Sequence, residues 1–182
     1  FTRSEDRFIP LAERVAMARR AGADLFLSIH GDSAPNPQAR GATVYTLSAV
    51  ASDAMAARVA ARENKADAIA TVALAGEEPQ AAAILYDLAL RQATNASAAF
   101  AQALAAAMDG RTPVTGNTHR FAGFQVLKTA DMPAALLETG YLTNEEDARR
   151  LFSPEGQRAI AQAVRAAIEA HFAPSQRLAA TR

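Results

Sequence analysis

Two short apolar runs, each ending near a side chain that can bind a metal or move a proton, constrain the fold of this chain most. The first run, ADLFLSIH at 23–30, ends in His30, and the second, AALLET at 134–139, carries Glu138. Runs of this length between turn residues are typical of buried strands. Helical patterns lie between them, so the chain is predicted to form an α/β sheet with helices on both faces.

The other elements follow from apolar spacing, turn residues and helix caps. Apolar residues three and four positions apart indicate helices, and Ser52, Asp53 and Asn144 are suitable N-caps. An alanine-rich stretch fills the middle of the chain. The predicted helices are 10–21, 52–64, 79–110 in one or two pieces, 144–151 and 154–172, and the predicted strands are 23–30, 41–47, 124–128 and 134–139.

Composition excludes several classes of function. The 19 Lys and Arg residues balance the 19 Asp and Glu residues in a chain of 182, so the basic surface of a nucleic-acid or membrane-surface binder is not expected. No apolar run approaches the ~20 residues of a transmembrane segment. Because the chain has no cysteine, disulfides, thiolate zinc sites and cysteine nucleophiles are excluded. Phosphate-binding glycine loops, the H-E-x-x-H motif and the G-x-S-x-G serine elbow are absent from the sequence.

His30 is a candidate metal ligand because it stands where a strand ends and a loop of small and polar residues begins. Functional groups of open α/β sheets gather outside the carboxyl ends of the strands. An imidazole there can bind zinc, or it can simply hydrogen-bond to the loop. His119 and His171 are weaker candidates, which we interpret as a surface histidine and a structural histidine of the last helix.

Glu138 is a candidate general base because it interrupts an otherwise apolar run. A carboxylate at the end of a buried strand must be paired, metal-bound or proton-active, and burial would raise its pKa. The alternative is a structural carboxylate that caps the next turn. If the strands of His30 and Glu138 are neighbours, both side chains emerge at one sheet edge, which would suit a metal-assisted hydrolase.

Two blocks of the sequence resemble a known enzyme family. The block RVAMARRAGADLFLSIH at 14–30, continued by GDSAPNPQARGATVYTLS, and the block VLKTADMPAALLETGYLTNEEDARRL at 126–151 resemble the bacterial zinc-dependent N-acetylmuramoyl-L-alanine amidases, the Amidase_3 family. The resemblance implies a three-layer αβα fold with a mixed, mostly parallel sheet and a helical insertion. It implies an amidase catalytic domain, incomplete at its N-terminus, over 1–173, followed by a tail at 174–182.

The resemblance also implies a reaction and its residues. These enzymes use Zn²⁺ to hydrolyse the amide that joins N-acetylmuramic acid to the L-alanine of the peptidoglycan stem peptide. His30 matches a zinc-binding histidine of the family, and Glu138 matches its catalytic glutamate. The family's other histidine and glutamate ligands are expected upstream of Phe1, together with any export signal, and the family's substrate implies the periplasm.

The helical middle, 52–110, resembles a regulatory insertion of the cell-division amidases of Gram-negative bacteria, through RENKAD at 62–67 and ILYDLA at 84–89. In those relatives a helix covers the active site and supplies a glutamate to the zinc until a LytM-domain activator displaces it. Glu63 is the matching residue, and the alternative for Glu63 is a solvated charge on a helix face. Autoinhibition and a role in daughter-cell separation follow from this resemblance.

Asp32 departs from the family, since many relatives have asparagine there, and little consequence is expected from the change. Two other functions stay open at this point. One is a non-catalytic peptidoglycan-binding or regulatory domain of the same fold, although that would have no need of both His30 and Glu138. The other is a different metallohydrolase, such as a carboxypeptidase, which would trim the ends of stem peptides instead of freeing them whole.

Overall fold

The computed structural model describes residues 1–65 and 80–179, with side chains described up to 65 and from 88 to 173. Part of the predicted insertion, 66–79, therefore lies outside the described residues. So do the side chains of 84–87 in the second insertion motif.

A four-stranded sheet runs through the chain. Its strands are β1 (Phe26–Asp32), β2 (Ala42–Leu47), β3 (Val114–Ala122) and β4 (Ala134–Tyr141), in the spatial order β1-β4-β2-β3. Strands β2 and β4 are antiparallel, with Thr43 opposite Glu138. Strand β1 runs parallel to β4, since the Phe26 amide donates to the Pro133 carbonyl and the Leu142 amide donates to the Asp32 carbonyl. The sheet is therefore mixed, as predicted.

Five α-helices accompany these strands in the described part of the chain and complete an α/β fold. Asp53 caps the second helix, because its Oδ1 accepts from the amides of Met55 and Ala56 at 2.9 Å. The helices are α1 (Leu11–Arg20), α2 (Ala54–Lys65), α3 (Gln80–Met108), α4 (Glu145–Leu151) and α5 (Pro154–Ala179). Within the same described ranges, none of them is both long and apolar enough to span a membrane.

The chain divides into two compact units, and the first comprises Phe1–Ser28, Thr46–Ser97 and Phe121–Ala135. In this unit α1 packs against a 3₁₀ turn at Gln125–Leu127, and an ion pair of 2.8 Å joins Arg19 to Asp131. Asn64, near the end of α2, donates to the Gly123 carbonyl and accepts from the Gln125 amide, both at 2.8 Å. The end of α2 is thereby tied to the backbone just before and at the start of the 3₁₀ turn.

The second unit comprises Ile29–Tyr45, Ala98–Arg120 and Leu136–Arg182. Its core is apolar and includes Phe100 from α3 and Leu137 from β4, each fully buried. The ring of Phe100 meets His171 of α5 edge to face, with centroids 5.5 Å apart. His171 is therefore a packing residue, as expected, but it lies inside α5 and not at its end.

A buried ion pair between Asp147 and Arg150 of α4 is hydrogen-bonded to β4 in the second unit. The Asp147 side chain is 1% exposed; its Oδ1 pairs with Arg150 Nη2 at 3.1 Å, and its Oδ2 accepts from the backbone amides of Gly41 at 2.8 Å and Tyr141 at 3.0 Å. Arg150 also donates to the Thr139 carbonyl at 3.0 Å. The predicted cap is present too, since Asn144 Oδ1 accepts from the Asp147 amide.

One predicted strand was wrong and one strand was missed. Residues 125–127 form a 3₁₀ turn instead of a strand, because a single turn suffices to bury the three apolar side chains of 124–128, and Phe124 and Leu127 are at most 1% exposed. Strand β3 was missed because Val114–Ala122 is polar and its residues are mostly exposed or half-buried. Among the strands of the described residues it lies at the end of the sheet order, and edge strands commonly carry polar and charged residues.

Two boundaries also differ from prediction, those of β1 and α5. Strand β1 continues beyond His30 to Asp32, so the loop begins two residues later than expected. The middle stretch from Gln80 forms one helix, α3, which is one of the two arrangements that the sequence predicted. Helix α5 continues to Ala179, so 174–179 extend this helix instead of forming the predicted tail, while 180–182 lie outside the described residues.

Candidate metal centre

Strand β4 places Glu138 in the interior of the second unit. Every residue of β4 is buried, because the strand lies between β1 and β2 in the sheet and reads as a nearly continuous apolar run. The Glu138 side chain is only 1% exposed. Burying a carboxylate costs free energy unless charged, polar or metal partners offset it, so this position selects for a functional or tightly bound group.

His30 faces Glu138 from the neighbouring strand. The His30 side chain on β1 is 20% exposed, and its Nδ1 lies 3.9 Å from Oε1 of Glu138. The backbone of His30 is held as well, since Thr139 Oγ1 donates to the His30 carbonyl at 2.7 Å. The structure thus brings together the two residues that the sequence singled out, near the carboxyl ends of β1 and β4.

Other ionisable side chains surround this pair. Tyr45 of β2 is 1% exposed, and burial raises the pKa of its phenol, with smaller contributions from Tyr141, Glu138 and Asp32 and an opposing one from Arg120. Asp32 is 3% exposed and contributes to this field. The position at which the sequence departs from the family resemblance is therefore buried, and the expectation that this departure has little consequence stays a prediction.

Glu63 lies on α2, in the first unit. Its side chain is 23% exposed and its Oε1 is 3.5 Å from Nε of Arg62, so it is a half-buried carboxylate and not a fully solvated one. His30, Glu63 and Glu138 are, within the described ranges, a group of His and Glu side chains that could hold a metal ion. These are the three residues that the sequence analysis named.

The donor chemistry of this group fits zinc. Zn²⁺ takes imidazole nitrogen and carboxylate oxygen as ligands, and His30 with Glu63 offers both. Because the sequence has no cysteine, thiolate ligands from this chain are excluded. His119 does not belong to the group: it lies on β3, where burial lowers the pKa of its imidazole, so it is half-buried and not the surface histidine predicted.

The residues that frame the centre were missed by sequence reasoning. Thr139 holds the His30 backbone, while Asp147 and Arg150 brace the strand behind it. In the sequence alone, Asp147 and Arg150 do not differ from the exposed charged residues of a solvated helix. The one available signal was Gly140, which follows the candidate base and adopts a φ of 149°, a conformation that favours glycine.

An α/β fold with a histidine and a buried glutamate near the carboxyl ends of adjacent parallel strands defines a candidate metallohydrolase centre. The family model for N-acetylmuramoyl-L-alanine amidase, Amidase_3, matches residues 1–170. The chain therefore belongs to this family, as the two sequence blocks predicted.

Curated relatives agree with this assignment. The chain is 36% identical over 172 residues to N-acetylmuramoyl-L-alanine amidase AmiA of Escherichia coli K12, a match that covers 94% of this chain and 60% of that protein. It is 35% identical over 179 residues to the amidase AmiC of Escherichia coli O6:H1, covering 98% of this chain and 43% of that protein. The chain thus spans 60% or less of the length of these two relatives.

Solved structures share the fold. The amidase AmiC2 of Nostoc punctiforme superposes with a TM-score of 0.59 at 26% identity, over 92% of this chain and 69% of that one. The catalytic domain of CwlV, an amidase from Bacillus (Paenibacillus) polymyxa var. colistinus, has a TM-score of 0.59 at 23% identity, over 94% of this chain and 70% of that one. The predicted α/β architecture is confirmed by these neighbours.

Proposed function

We propose that this chain belongs to a zinc-dependent enzyme that hydrolyses the amide between N-acetylmuramic acid and L-alanine in peptidoglycan. The observation that carries the proposal is the buried Glu138 facing His30 at 3.9 Å, within a chain of the amidase family. The relatives named as N-acetylmuramoyl-L-alanine amidases supply the substrate class. Because that substrate is the cell wall, we place the protein in the periplasm.

The proposed roles follow from the chemistry of each side chain. His30 would hold the metal through an imidazole nitrogen. When bound, zinc lowers the pKa of a coordinated water to about 7 and polarises the scissile carbonyl. Glu138 would accept a proton from the attacking water as the new C–O bond forms, and return it to the amide nitrogen as the C–N bond breaks. Its burial excludes bulk water from this proton transfer.

Glu138→Gln tests the general base, because the amide keeps the shape of the carboxylate but cannot accept the proton. We expect release of stem peptides from purified peptidoglycan to fall by at least about 100-fold, while the zinc content is unchanged. Glu145→Gln, on the exposed face of α4, is the control and should keep full activity. Activity of Glu138→Gln within a few-fold of the unmodified protein would refute the role.

The products distinguish the remaining alternatives. An amidase frees whole stem peptides and leaves glycan strands, and a chelator should abolish this activity until zinc is restored. Shortened stem peptides would instead indicate a carboxypeptidase. Binding to peptidoglycan without any cleavage, with zinc supplied, would indicate a non-catalytic domain.

We further propose that α2 inhibits the enzyme through Glu63. Three observations support this: the carboxylate is half-buried, it belongs to the group that could hold a metal, and the adjacent Asn64 ties α2 to the backbone at Gly123 and Gln125. A carboxylate in an open coordination position would exclude substrate until a partner displaces the helix. A LytM-domain activator at the division site is the partner implied by the family, which would link the enzyme to daughter-cell separation.

Glu63→Ala tests this inhibition. We expect a higher basal rate of peptide release in the absence of any activator, because the competing carboxylate is gone. Lys65→Ala, an exposed change at the same end of α2, is the control and should leave the basal rate unchanged. An unchanged or lower rate for Glu63→Ala would remove Glu63 from the inhibitory role.

A further inference from the structure

We propose that Thr139 is a positioning residue that fixes His30 relative to Glu138, and that Asp147 and Arg150 hold Thr139 in place. The inference rests on the proposed zinc site, but its contacts all lie within the second unit and were not predicted from the sequence.

Thr139 is bonded on both sides. Its Oγ1 donates to the His30 carbonyl at 2.7 Å, and its own carbonyl accepts from Arg150 Nη2 at 3.0 Å. Because Thr139 directly follows Glu138 in β4, one residue links the backbone of the histidine to the strand that carries the glutamate. The hydroxyl is therefore the link by which β4 can set the position of His30.

Arg150 is itself immobilised. Its guanidinium pairs with Asp147, donates to the Thr112 hydroxyl and is 17% exposed. Asp147 in turn accepts from the amides of Gly41 and Tyr141. Charge-assisted hydrogen bonds in a buried setting are short and directional. The Asp147–Arg150 pair therefore holds the Thr139 carbonyl more rigidly than water molecules would.

Gly140 shows how closely the Asp147–Arg150 pair packs against β4. A Cβ at this residue would lie 2.7 Å from Arg150 Nη2 and 2.8 Å from Asp147 Oδ2. Such distances leave no space for a side chain, so the guanidinium and carboxylate rest directly on the backbone after Glu138. The strand is braced at its carbonyl before this glycine and at the amide of Tyr141 after it.

Positioning matters because metal sites tolerate little displacement. Ligands must be held within about 0.5 Å of their working geometry, and outer residues that orient a ligand typically change metal affinity by about 10–100-fold when they are removed. Loss of the Thr139 hydroxyl would free the His30 carbonyl while leaving both His30 and Glu138 chemically intact. The expected defect is therefore weaker zinc binding together with a lower kcat and little change in KM.

Thr139→Val and Thr139→Ser form the test, since valine matches the shape without the hydroxyl and serine keeps the hydroxyl. Zinc affinity, measured by competition with a chromophoric chelator, should weaken about 10–100-fold in Thr139→Val and should be restored in Thr139→Ser. The control is Thr129→Val, which removes a buried hydroxyl bond of 2.6 Å to the Met132 carbonyl. It should cost similar stability and leave zinc affinity unchanged.

A second readout needs no metal and no activity. In the zinc-free protein, the ring proton resonances of His30, assigned with His30→Gln, should shift or broaden in Thr139→Val but not in Thr129→Val. Unchanged His30 resonances, or equal loss of zinc affinity in the control, would overturn the inference. If the unmodified protein binds zinc but releases no stem peptide, the proposed function fails, while the His30 resonances still decide the role of Thr139.

Discussion

Replacing Asp147 by alanine is expected to destabilise the protein far more than the helical position of this residue would indicate. The substitution removes the acceptor of the Gly41 and Tyr141 amides and leaves Arg150, which is 17% exposed, without its carboxylate. Removing one partner of a buried ion pair typically costs about 3–5 kcal/mol, because the other charge remains buried.

The loss expected from these contacts is about 4 kcal/mol, and we do not add the two amides in full because water can enter the vacated space. At this chain length such a loss lowers the melting temperature by about 8–16 °C. Since small domains are stable by only about 5–15 kcal/mol, a substantial part of the folding free energy is at stake.

Urea unfolding followed by circular dichroism measures this loss, and Glu145→Ala is the matched control on the same helix. Glu145 also pairs with an arginine, Arg149, at 3.1 Å, but its side chain is 90% exposed. Exposed pairs contribute about 0–1 kcal/mol, so the control should change little. If Asp147→Ala and Glu145→Ala unfold at the same urea concentration, the argument from burial is wrong.

Two further predictions concern other contacts. Gly140→Ala should lower the free energy of unfolding by about 2 kcal/mol more than Gly22→Ala. Both glycines have positive φ, but of the two only Gly140 lacks space for a Cβ. Urea unfolding of the two variants measures this difference. A hydrogen bond from Arg19 lowers the pKa of Asp131 below its usual 3.8. The modest stability that this half-exposed pair adds should therefore be present at neutral pH, and it should vanish as the pH falls through the lowered pKa. Melting curves of the unmodified protein and Asp131→Asn should converge in acid; a constant difference would contradict this.

The elements that the sequence predicted well are those with an unambiguous physical signature. Strand β4 is apolar because it is buried on both faces, and Asn144 is a cap because its side chain accepts from the Asp147 amide. The pairing of His30 with Glu138 followed from the rule that active groups gather at the carboxyl ends of strands. At each of these positions, the local sequence pattern indicates the same structure that packing in the folded protein requires.

The sequence-based predictions failed where the local sequence pattern does not reveal which side chains are buried. The segment at 124–128 carries three buried apolar side chains, yet it forms a turn and not a strand. Asp147 and Arg150 lie on a short helix beside exposed charges of the same types, and only tertiary contacts reveal which of them are buried. A single sequence contains no information that separates these cases, because the deciding neighbours lie in β4 and in the segment before β3.

The polar character that hid β3 has a consequence for the protein in concentrated solution. A strand at the end of a sheet offers amides and carbonyls to any other extended chain, and long apolar strands in that position promote aggregation. Strand β3 carries Asn117, His119 and Arg120, and Gly116 interrupts it. These residues make β3 a poor template for edge-to-edge pairing with another copy, so the residues that obscured the strand in the sequence also favour the solubility of the folded protein.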